Sequence, residues 1–476
     1  MTDSTAALFP PQIRYIIGNE AAERFSFYGM RNILTVFLID YLLRTHPAGK
    51  AAAQSVFHTF VAGVYLFPLL GGWLSDRFLG KYRTILWVSL LYCVGQLFLA
   101  LFDTSPTGFY AGLFLIALGS GGIKPCVSAF VGDQFTESSR ALIPRVFGWF
   151  YWSINFGSFF ASLTIPQLLA RFGPKVAFGT PGAIMLLATA IFFAGRKLYV
   201  NVPPSKPPSH GFLAVMRSAF SGLVRRRAFW AAARGAHPAG AVEACQAVLR
   251  VVTIFIPIPF FWACFDQKAS LWVIQGRSMD TQVGSWTLLP AQLQAVNPAL
   301  VMLLVPLTTY GLYPWLERLG VRFTPLRRMG IGLALTGVSY LLAALIQLGI
   351  DGGGRPSILW QLGPYVVLTL SEIFVSVTGL EFAYTQAPKE MKGVIMSFWL
   401  VTTAVGNLAV SGLVKHLDVF TGTARFVFWA VMVFLAAGVF VLIARGYVPR
   451  DHFLSDAEAA LDRGEPEPGR AAAQPG

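Results

Sequence analysis

Long runs of apolar residues separated by short polar segments dominate the chain, and this pattern predicts membrane-spanning helices. A helix needs about 20 mostly apolar residues to cross the hydrocarbon core of a bilayer. The runs are continuous and do not alternate residue by residue, which excludes an outer-membrane barrel. Twelve such runs can be placed, at residues 16–43, 52–75, 83–102, 107–131, 146–170, 177–199, 249–275, 293–316, 327–349, 357–386, 393–414 and 424–446.

Composition and charge agree with a membrane protein. Of 476 residues, 55% are hydrophobic and only 13% are charged, whereas a soluble protein carries about 25% charged residues. A soluble enzyme is therefore excluded. The net charge of +14 does not indicate nucleic-acid binding, because the Lys and Arg residues gather in alternate connections, as the positive-inside rule predicts. We expect a multi-pass protein of the inner (cell) membrane with both termini in the cytoplasm.

A long connection at the midpoint divides the predicted spans into two sets of six. It begins with the Pro-rich stretch NVPPSKPPSHG and continues through an amphipathic, Arg-rich segment. Two six-helix halves are the usual frame of rocking transporters, with the substrate site between them. We therefore predict an all-α membrane protein with an N-terminal bundle at 1–199, a cytoplasmic linker at 200–248, a C-terminal bundle at 249–447 and a disordered cytoplasmic tail at 448–476.

Charged residues inside spans are costly, so each is a candidate functional residue. In the first span, Glu20, Glu23, Arg24 and Arg31 lie on one stripe of a helix with 100° per residue, and Tyr28 lies at its edge. Two carboxylates and two guanidinium groups can exchange partners when a proton neutralises one acid, as a proton-coupled switch requires. The alternative is a static ion network that only holds helices together.

Two further spans of the first half carry candidates. His58 and Tyr65 are seven residues apart and face the same way; a histidine is suited to carry a coupling proton, and the alternative is an ordinary buried histidine. Lys124 lies in the middle of the fourth span and needs a carboxylate partner. The glycines before it, in GSGG, predict close helix contact rather than phosphate binding, because no strand precedes them.

The second half also supplies acids within predicted spans. Asp266 lies in the seventh span and Glu372 in the tenth. Trp262 precedes Asp266 by one turn, and Trp399 in the eleventh span adds a second aromatic wall. Bulky aromatic residues in spans are mostly packing residues or interface anchors, so a single tryptophan carries little weight.

Six segments resemble, in order and spacing, the signatures of the proton-dependent oligopeptide transporter (POT/PTR) family of the major facilitator superfamily. The resemblance covers nearly all of residues 15–447 and is closest to the animal-type peptide transporters, whose large extracellular domain is replaced here by IQLGIDGGGRPS. The segments are NEAAERFSFYGMRN, GGWLSDRFLGKYRTI, GSGGIKPCVSAFVGDQF, FYWSINFGS, FFWACFDQKASLWVIQG and SEIFVSVTGLEFAYTQAPKEMKG.

The resemblance implies roles for individual residues. The residues assigned to proton coupling are Glu20, Glu23, Arg24, His58 and Asp266. The residues assigned to substrate binding are Arg31, Tyr28, Tyr65, Lys124, Asn155, Trp262, Glu372 and Trp399. Among these, Arg31, Lys124 and Asn155 are implied to hold the peptide's carboxylate and backbone, and Glu372 its amino terminus. Arg31 with Asp266, and Lys124 with Glu372, are implied to pair across the two halves.

The resulting prediction is a twelve-helix major facilitator carrier that imports di- and tripeptides with protons by alternating access. A free peptide is a zwitterion, so cations on one half and an acid on the other bind both of its ends. We expect no enzyme activity, no cofactor other than coupling protons, and function as a monomer in membrane lipid. The alternative is a carrier of the same fold for another small zwitterion or anion, such as nitrate or an amino-acid conjugate.

Overall fold

The computed structural model is almost entirely helical and describes residues 9–136, 139, 142–204, 209–224, 228–416 and 420–448. The predicted tail at 448–476 lies outside the described residues except for Val448. The first half contains six long helices: α1 (Ile13–Phe37), α2 (Gly49–Leu74), α3 (Gly80–Leu101), α4 (Pro106–Asp133), α5 (Ile143–Phe172) and α6 (Pro174–Ala194).

The described part of the segment between the halves is largely helical. It contains α7 (Phe212–Val224) and α8 (Phe229–Arg234). The next helix, α9, begins at Ala239, ten residues before the predicted start of the seventh span at 249. The reason is that residues 239–248 are amphipathic rather than wholly apolar, and they bury Val242, Cys245 and Val248 in the protein.

The second half is built from shorter helical pieces and one small hairpin. Gln282–Val283 (β1) pairs with Trp286–Thr287 (β2) around Gly284, whose φ of 61° suits a tight two-residue turn. The all-α prediction did not include this hairpin. The helices are α9 (Ala239–Phe255), α10 (Ile258–Phe265), α11 (Leu271–Gly276), α12 (Val296–Pro306), α13 (Tyr313–Arg318), α14 (Pro325–Asp351), α15 (Leu362–Glu372), α16 (Thr378–Thr385), α17 (Lys392–Leu413) and α18 (Thr423–Arg445).

All twelve predicted spans coincide with helical structure. Within the described ranges, eight helical segments are long and apolar enough to cross a membrane, and a bent pair, Ala239–Phe255 with Ile258–Gly276, makes a ninth. One of the eight, Gly49–Leu101, comprises α2 and α3, which are separated at Gly80 by a φ of 74°. Charged residues make α1 too polar for the same test. The protein is thus a multi-pass helical membrane protein, and the number of twelve crossings stays a prediction.

The buried apolar side chains form two clusters. One is drawn from residues 13–199 together with Ala269, and the other from residues 215–440 together with Ala51. Val215, Ala219 and Ala233 place α7 and α8 against the second cluster. The predicted domain bounds themselves stay a prediction, but each half has its own packed interior, with a shared boundary between them.

The glycines of the fourth span allow close helix contact, as the sequence predicted. A Cβ atom at Gly119 would lie 2.6 Å from the Cβ of Tyr92 on α3, and one at Gly121 would lie 2.8 Å from the carbonyl oxygen of Val64 on α2. A Cβ at Gly71 on α2 would lie within van der Waals overlap of the carbonyl oxygen of Gly122. These helices therefore pack backbone against backbone.

Two helices are interrupted next to candidate residues. The seventh predicted span bends by 47° between α9 and α10, and a 3₁₀ turn at Asp266–Ala269 separates α10 from α11. A π-helical turn at Ile373–Val377 follows Glu372 directly. Interrupted helices expose backbone groups only where protein or a polar cavity can satisfy them, so both breaks mark the polar middle of the second half.

Candidate functional site

The acidic and basic residues of the first span form one buried cluster. Arg24 Nε donates a hydrogen bond to Glu20 Oε1 at 2.7 Å and lies 2.9 Å from Glu23 Oε2. One N–H cannot donate to two carboxylates with good geometry, and Glu23 Oε2 accepts no hydrogen bond from the described residues. The other oxygen of Glu23 accepts from Ser120 Oγ at 3.3 Å. Because Glu23 is fully buried, its carboxylate accepts fewer hydrogen bonds than a charged group needs.

Arg31 leaves this cluster and reaches across to the second half. Its Nη2 donates to Asp266 Oδ1 at 2.5 Å, and both side chains are almost fully buried. The pair expected from the resemblance is therefore formed. Removing either partner would leave an uncompensated buried charge, at a cost of about 3–5 kcal/mol.

His58 is connected to the same aspartate through a residue that the sequence analysis missed. Asn407 Nδ2 donates to Asp266 Oδ2 at 2.8 Å and to the Thr403 carbonyl at 2.9 Å, which orients its Oδ1 towards His58 Nδ1 at 2.7 Å. His58 Nδ1 must therefore carry a proton. Its Nε2 lies 2.8 Å from Ser270 Oγ, a hydroxyl that can donate to a neutral ring or accept from a charged one.

A polar cavity of about 180 Å³ lies between the two halves. The first half contributes charged, aromatic and amide groups, and the second half contributes the two acids and an aromatic wall. Trp262 Nε1 is a buried donor that finds no acceptor among the described residues. The predicted site residues that line this cavity are Tyr28, Arg31, Tyr65, Asn155, Trp262, Asp266 and Glu372.

Glu372 does not pair with Lys124, contrary to the expectation. Glu372 Oε2 accepts a hydrogen bond from Asn297 Nδ2 at 2.7 Å, and Asn297 Oδ1 in turn accepts from Lys268 Nζ at 3.2 Å. Lys124 Nζ instead lies 3.9 Å from the centre of the Tyr65 ring. The physical reason is that Lys124 and Glu372 line different cavities, and Lys268 supplies the nearby positive charge.

Trp399, predicted as a wall of the pocket, is not among the residues that line the central cavity, and its role in substrate binding stays a prediction. It is 2% exposed, packs edge-on against Phe255 on α9, and lies where a Cβ at Gly379 would strike its ring. Its neighbours Ser397 and Leu400 line a cavity, but Trp399 is turned about 100° from the middle of that face of α17. It belongs to the interior of the second half.

A second, wider cavity opens on one side of the molecule. Its volume is about 1060 Å³, and it contains Lys124 together with Glu20 and Arg24. Residues of the connections predicted to be cytoplasmic, including Lys81 and Lys392, lie at its edge. Tyr28, Tyr65 and Ile154 line both cavities, so the two spaces adjoin.

The opposite side is closed by contacts between the halves. Thr35 Oγ1 donates to the Ala269 carbonyl at 2.8 Å, and an exposed ion pair joins Arg277 to Asp40 at 2.6 Å. Ser55 Oγ on α2 lies 3.0 Å from Ser411 Oγ on α17. The structure is therefore open on one side of its central cavity and sealed on the other.

Three site residues escaped the sequence analysis: Lys268, Asn297 and Asn407. Lys268 carried a visible signal, since it is a lysine within an apolar run and two residues after Asp266. Asn297 and Asn407 gave no such signal in the sequence, because a single asparagine in a span is common. The residue to which it bonds lies on another helix and cannot be predicted from the asparagine's own segment.

Two helical halves that enclose a charged cavity open on one side have the general layout of a secondary membrane carrier. Residues 82–430 match the family model described as the POT family. The chain belongs to the POT family.

Curated relatives and solved structures agree with this. "Peptide transporter 3" of Caenorhabditis elegans is 38% identical over 365 residues, covering 72% of this chain and 51% of the relative. "Solute carrier family 15 member 2" of Mus musculus is 35% identical over 399 residues, covering 78% of this chain and 53% of the relative. The chain thus spans about half the length of the curated relatives it matches.

The solved structures match over their whole length. A crystal structure of the POT family transporter PepTSo is 48% identical with a TM-score of 0.87, covering 94% of this chain and 100% of that one. The crystal structure of an auto inhibited POT family peptide transporter is 45% identical with a TM-score of 0.86, covering 94% and 99%.

Proposed function

We propose that this protein imports di- and tripeptides together with protons by alternating access across the inner membrane. The observation that carries the proposal is the charge arrangement of the central cavity: Arg31 and Asn155 lie on one half, and Glu372 with Asn297 on the other. A peptide zwitterion has one charge for each wall, so binding it draws the halves together. The name of the Caenorhabditis elegans relative, "Peptide transporter 3", supports the same substrate class.

Glu372 receives the peptide's amino terminus. Asn297 already holds the Glu372 carboxylate in place, and Lys268 balances its charge through Asn297. The incoming ammonium group replaces water around the acid, and the unpartnered Trp262 Nε1 offers a donor to the peptide backbone. Arg31 and Asn155 bind the carboxylate end, and Tyr28 and Tyr65 complete the wall.

Protons act at two connected places. Glu23 Oε2 lacks a donor, so a proton there removes a buried negative charge and leaves Arg24 to Glu20 alone. At His58, a second proton would make the ring a cation, turn Ser270 into an acceptor and weaken the hold of Arg31 on Asp266. Either event changes an ion pair made by an arginine of α1, the helix that reaches the second half through Arg31.

The wide cavity represents the inward-facing state. Its edge contains Lys81 and Lys392, which belong to connections rich in positive charge and therefore cytoplasmic under the positive-inside rule. The same rule puts both termini in the cytoplasm. The contacts on the closed side, such as Arg277 with Asp40, must separate before peptide can enter from outside.

Uptake of labelled dialanine into proteoliposomes under an imposed inward proton gradient tests the proposal. We expect accumulation above a gradient-free control, competed by unlabelled dipeptides and not by nitrate. Glu372→Gln should reduce the affinity for peptides with a free amino terminus about tenfold or more, and leave N-acetylated peptides unaffected. Folded protein without gradient-driven accumulation, or competition by nitrate alone, would contradict peptide symport.

A second experiment separates coupling from binding. Glu23→Gln keeps the size of the side chain and removes its negative charge, so gradient-driven uptake should be lost while counterflow exchange of peptide persists. Ser120→Ala, which removes only the hydroxyl beside Glu23, is the matched control and should retain both activities. Loss of exchange as well as uptake in Glu23→Gln would assign the residue a structural role.

A further inference from the structure

Two histidines of the segment between the halves face each other far from the central cavity. His210 follows the Pro-rich stretch, and His237 lies in the turn between α8 and α9. Their Nδ1 atoms are 3.0 Å apart, and their ring planes are at 89°. His237 Nε2 also lies 2.8 Å from Ser218 Oγ on α7. Neither histidine belongs to the proposed transport site, so the pair needs its own account.

The hydroxyl of Ser218 can fix the tautomer of His237 that suits a metal ligand. When Ser218 Oγ accepts the Nε2 hydrogen, the Nδ1 atom of His237 carries the free lone pair and directs it at His210 Nδ1. Such an outer hydrogen bond to the second ring nitrogen is the usual companion of a metal-bound imidazole, because it fixes the tautomer and the ring orientation. His210 is exposed and His237 is partly exposed, so an ion from solution can reach both.

The distance between the two nitrogens fits one shared metal ion. Metal–nitrogen bonds of about 2.0–2.1 Å place two neighbouring ligands roughly 2.8 Å apart in square-planar geometry and about 3.3 Å apart in tetrahedral geometry. The observed 3.0 Å falls between these values. Both nitrogens can therefore bind one ion once each ring has turned so that its lone pair points at the ion instead of along the line between the two nitrogens.

We propose that His210 and His237 form a two-histidine site for a divalent transition-metal ion of the imidazole-binding class, such as Zn²⁺ or Cu²⁺. Among the described residues no group of three or more His, Cys, Asp or Glu side chains could hold a metal, so water completes the coordination. Two protein ligands make the site exchangeable, unlike a closed structural zinc site.

The bound ion ties together residues that are 27 positions apart. Between them lies α7, which buries Val215 and Ala219 in the second half and packs Phe212 against Phe398 on α17 at 5.7 Å. Metal binding therefore fastens the α7–α8 segment to the second half. The site rests on the geometry of this segment alone and is independent of the transport proposal.

Zinc titration of the full-length, tag-free protein by isothermal calorimetry tests the site. We expect one Zn²⁺ per chain, with at least tenfold weaker binding in each of His210→Ala and His237→Ala. Three histidines elsewhere give matched controls: the exposed His46 and His416, and His452, which lies outside the described residues. Alanine variants of these three should bind as the parent protein does.

Cu²⁺ provides an independent spectroscopic readout. Electron paramagnetic resonance of the parent protein with one equivalent of Cu²⁺ should show coupling to two imidazole nitrogens, and either histidine variant should show one or none. Ser218→Ala should weaken binding by about tenfold while keeping two nitrogens. The absence of stoichiometric binding, or binding that survives both histidine variants, would overturn the proposal; size-exclusion profiles verify that each variant is folded.

Discussion

At the scale of single residues, the site is organised by amide and hydroxyl groups that connect the charges. Asn407 is the clearest example, because its amide nitrogen donates a hydrogen bond to Asp266 and its amide oxygen accepts one from His58. The charged residues could be predicted from the sequence, since a charge in an apolar run is conspicuous. The linking groups could not, because which segments face each other depends on how the two halves dock.

Asn407→Leu tests this connection. The substitution leaves His58 Nδ1 and Asp266 Oδ2 without their shared partner, each at a cost of about 1–3 kcal/mol. We expect gradient-driven peptide uptake to fall at least tenfold while counterflow exchange remains, as measured in proteoliposomes. Thr403→Val on the same helix is the control, since Thr403 contacts Asn407 only through its backbone carbonyl; equal losses in the two variants would contradict a coupling role.

At the scale of helices, glycine positions decide how closely neighbours pack. The sequence indicated close contact at the fourth span, and the approach of α2 to α4 at Gly71 and Gly122 is the result. The 3₁₀ turn at Asp266–Ala269 could not be predicted in the same way, because its polar residues indicate a candidate site within a span and not where the helix is interrupted, which depends on tertiary contacts. The helix of Trp399 could be predicted, but the face of α17 that lines a cavity could not, because it depends on how the neighbouring helices pack.

Gly71→Ala and Gly72→Ala form a matched pair for this packing. A methyl group at Gly71 would overlap the Gly122 backbone, whereas one at Gly72 finds its nearest atom, in Pro125, at 3.9 Å. We expect Gly71→Ala to destabilise the protein by about 1–3 kcal/mol and Gly72→Ala to change little. Thermal unfolding followed by size-exclusion chromatography measures both, and similar melting temperatures would refute backbone contact between α2 and α4.

At the scale of the whole molecule, the two halves meet on one side and part on the other. Helices α2 and α17 meet where Ser55 and Ser411 are joined through their hydroxyls. Two helical halves with a cavity between them could be predicted from the sequence, because the apolar runs and the position of the linker indicate that layout; the number of twelve crossings stays a prediction. Which side is closed could not be predicted, since a carrier of the proposed type adopts both states with the same sequence.

A disulfide across the closed side tests this arrangement. The Oγ atoms of Ser55 and Ser411 are 3.0 Å apart, so S55C together with S411C should form a bond near the ideal length of about 2.05 Å with little movement. We expect oxidation to reduce peptide uptake to background and a reductant to restore it. Each single cysteine variant should be insensitive to oxidant, and full uptake by the cross-linked protein would show that this side never needs to open.

In the proposed opening of the closed side, only one of the two carboxylate oxygens of Asp266 loses its hydrogen-bond partner. Oδ1 is held by Arg31 from the other half, whereas Oδ2 is held by Asn407 from its own half. Separation therefore removes the hydrogen-bond donor of Oδ1, while Asn407 still holds Oδ2 and keeps the carboxylate in place. The guanidinium of Arg31 loses its partner in the same step. The opening cleft thus presents a fixed anion and an available cation to the outside together, and an empty carrier can reseal itself by rejoining them.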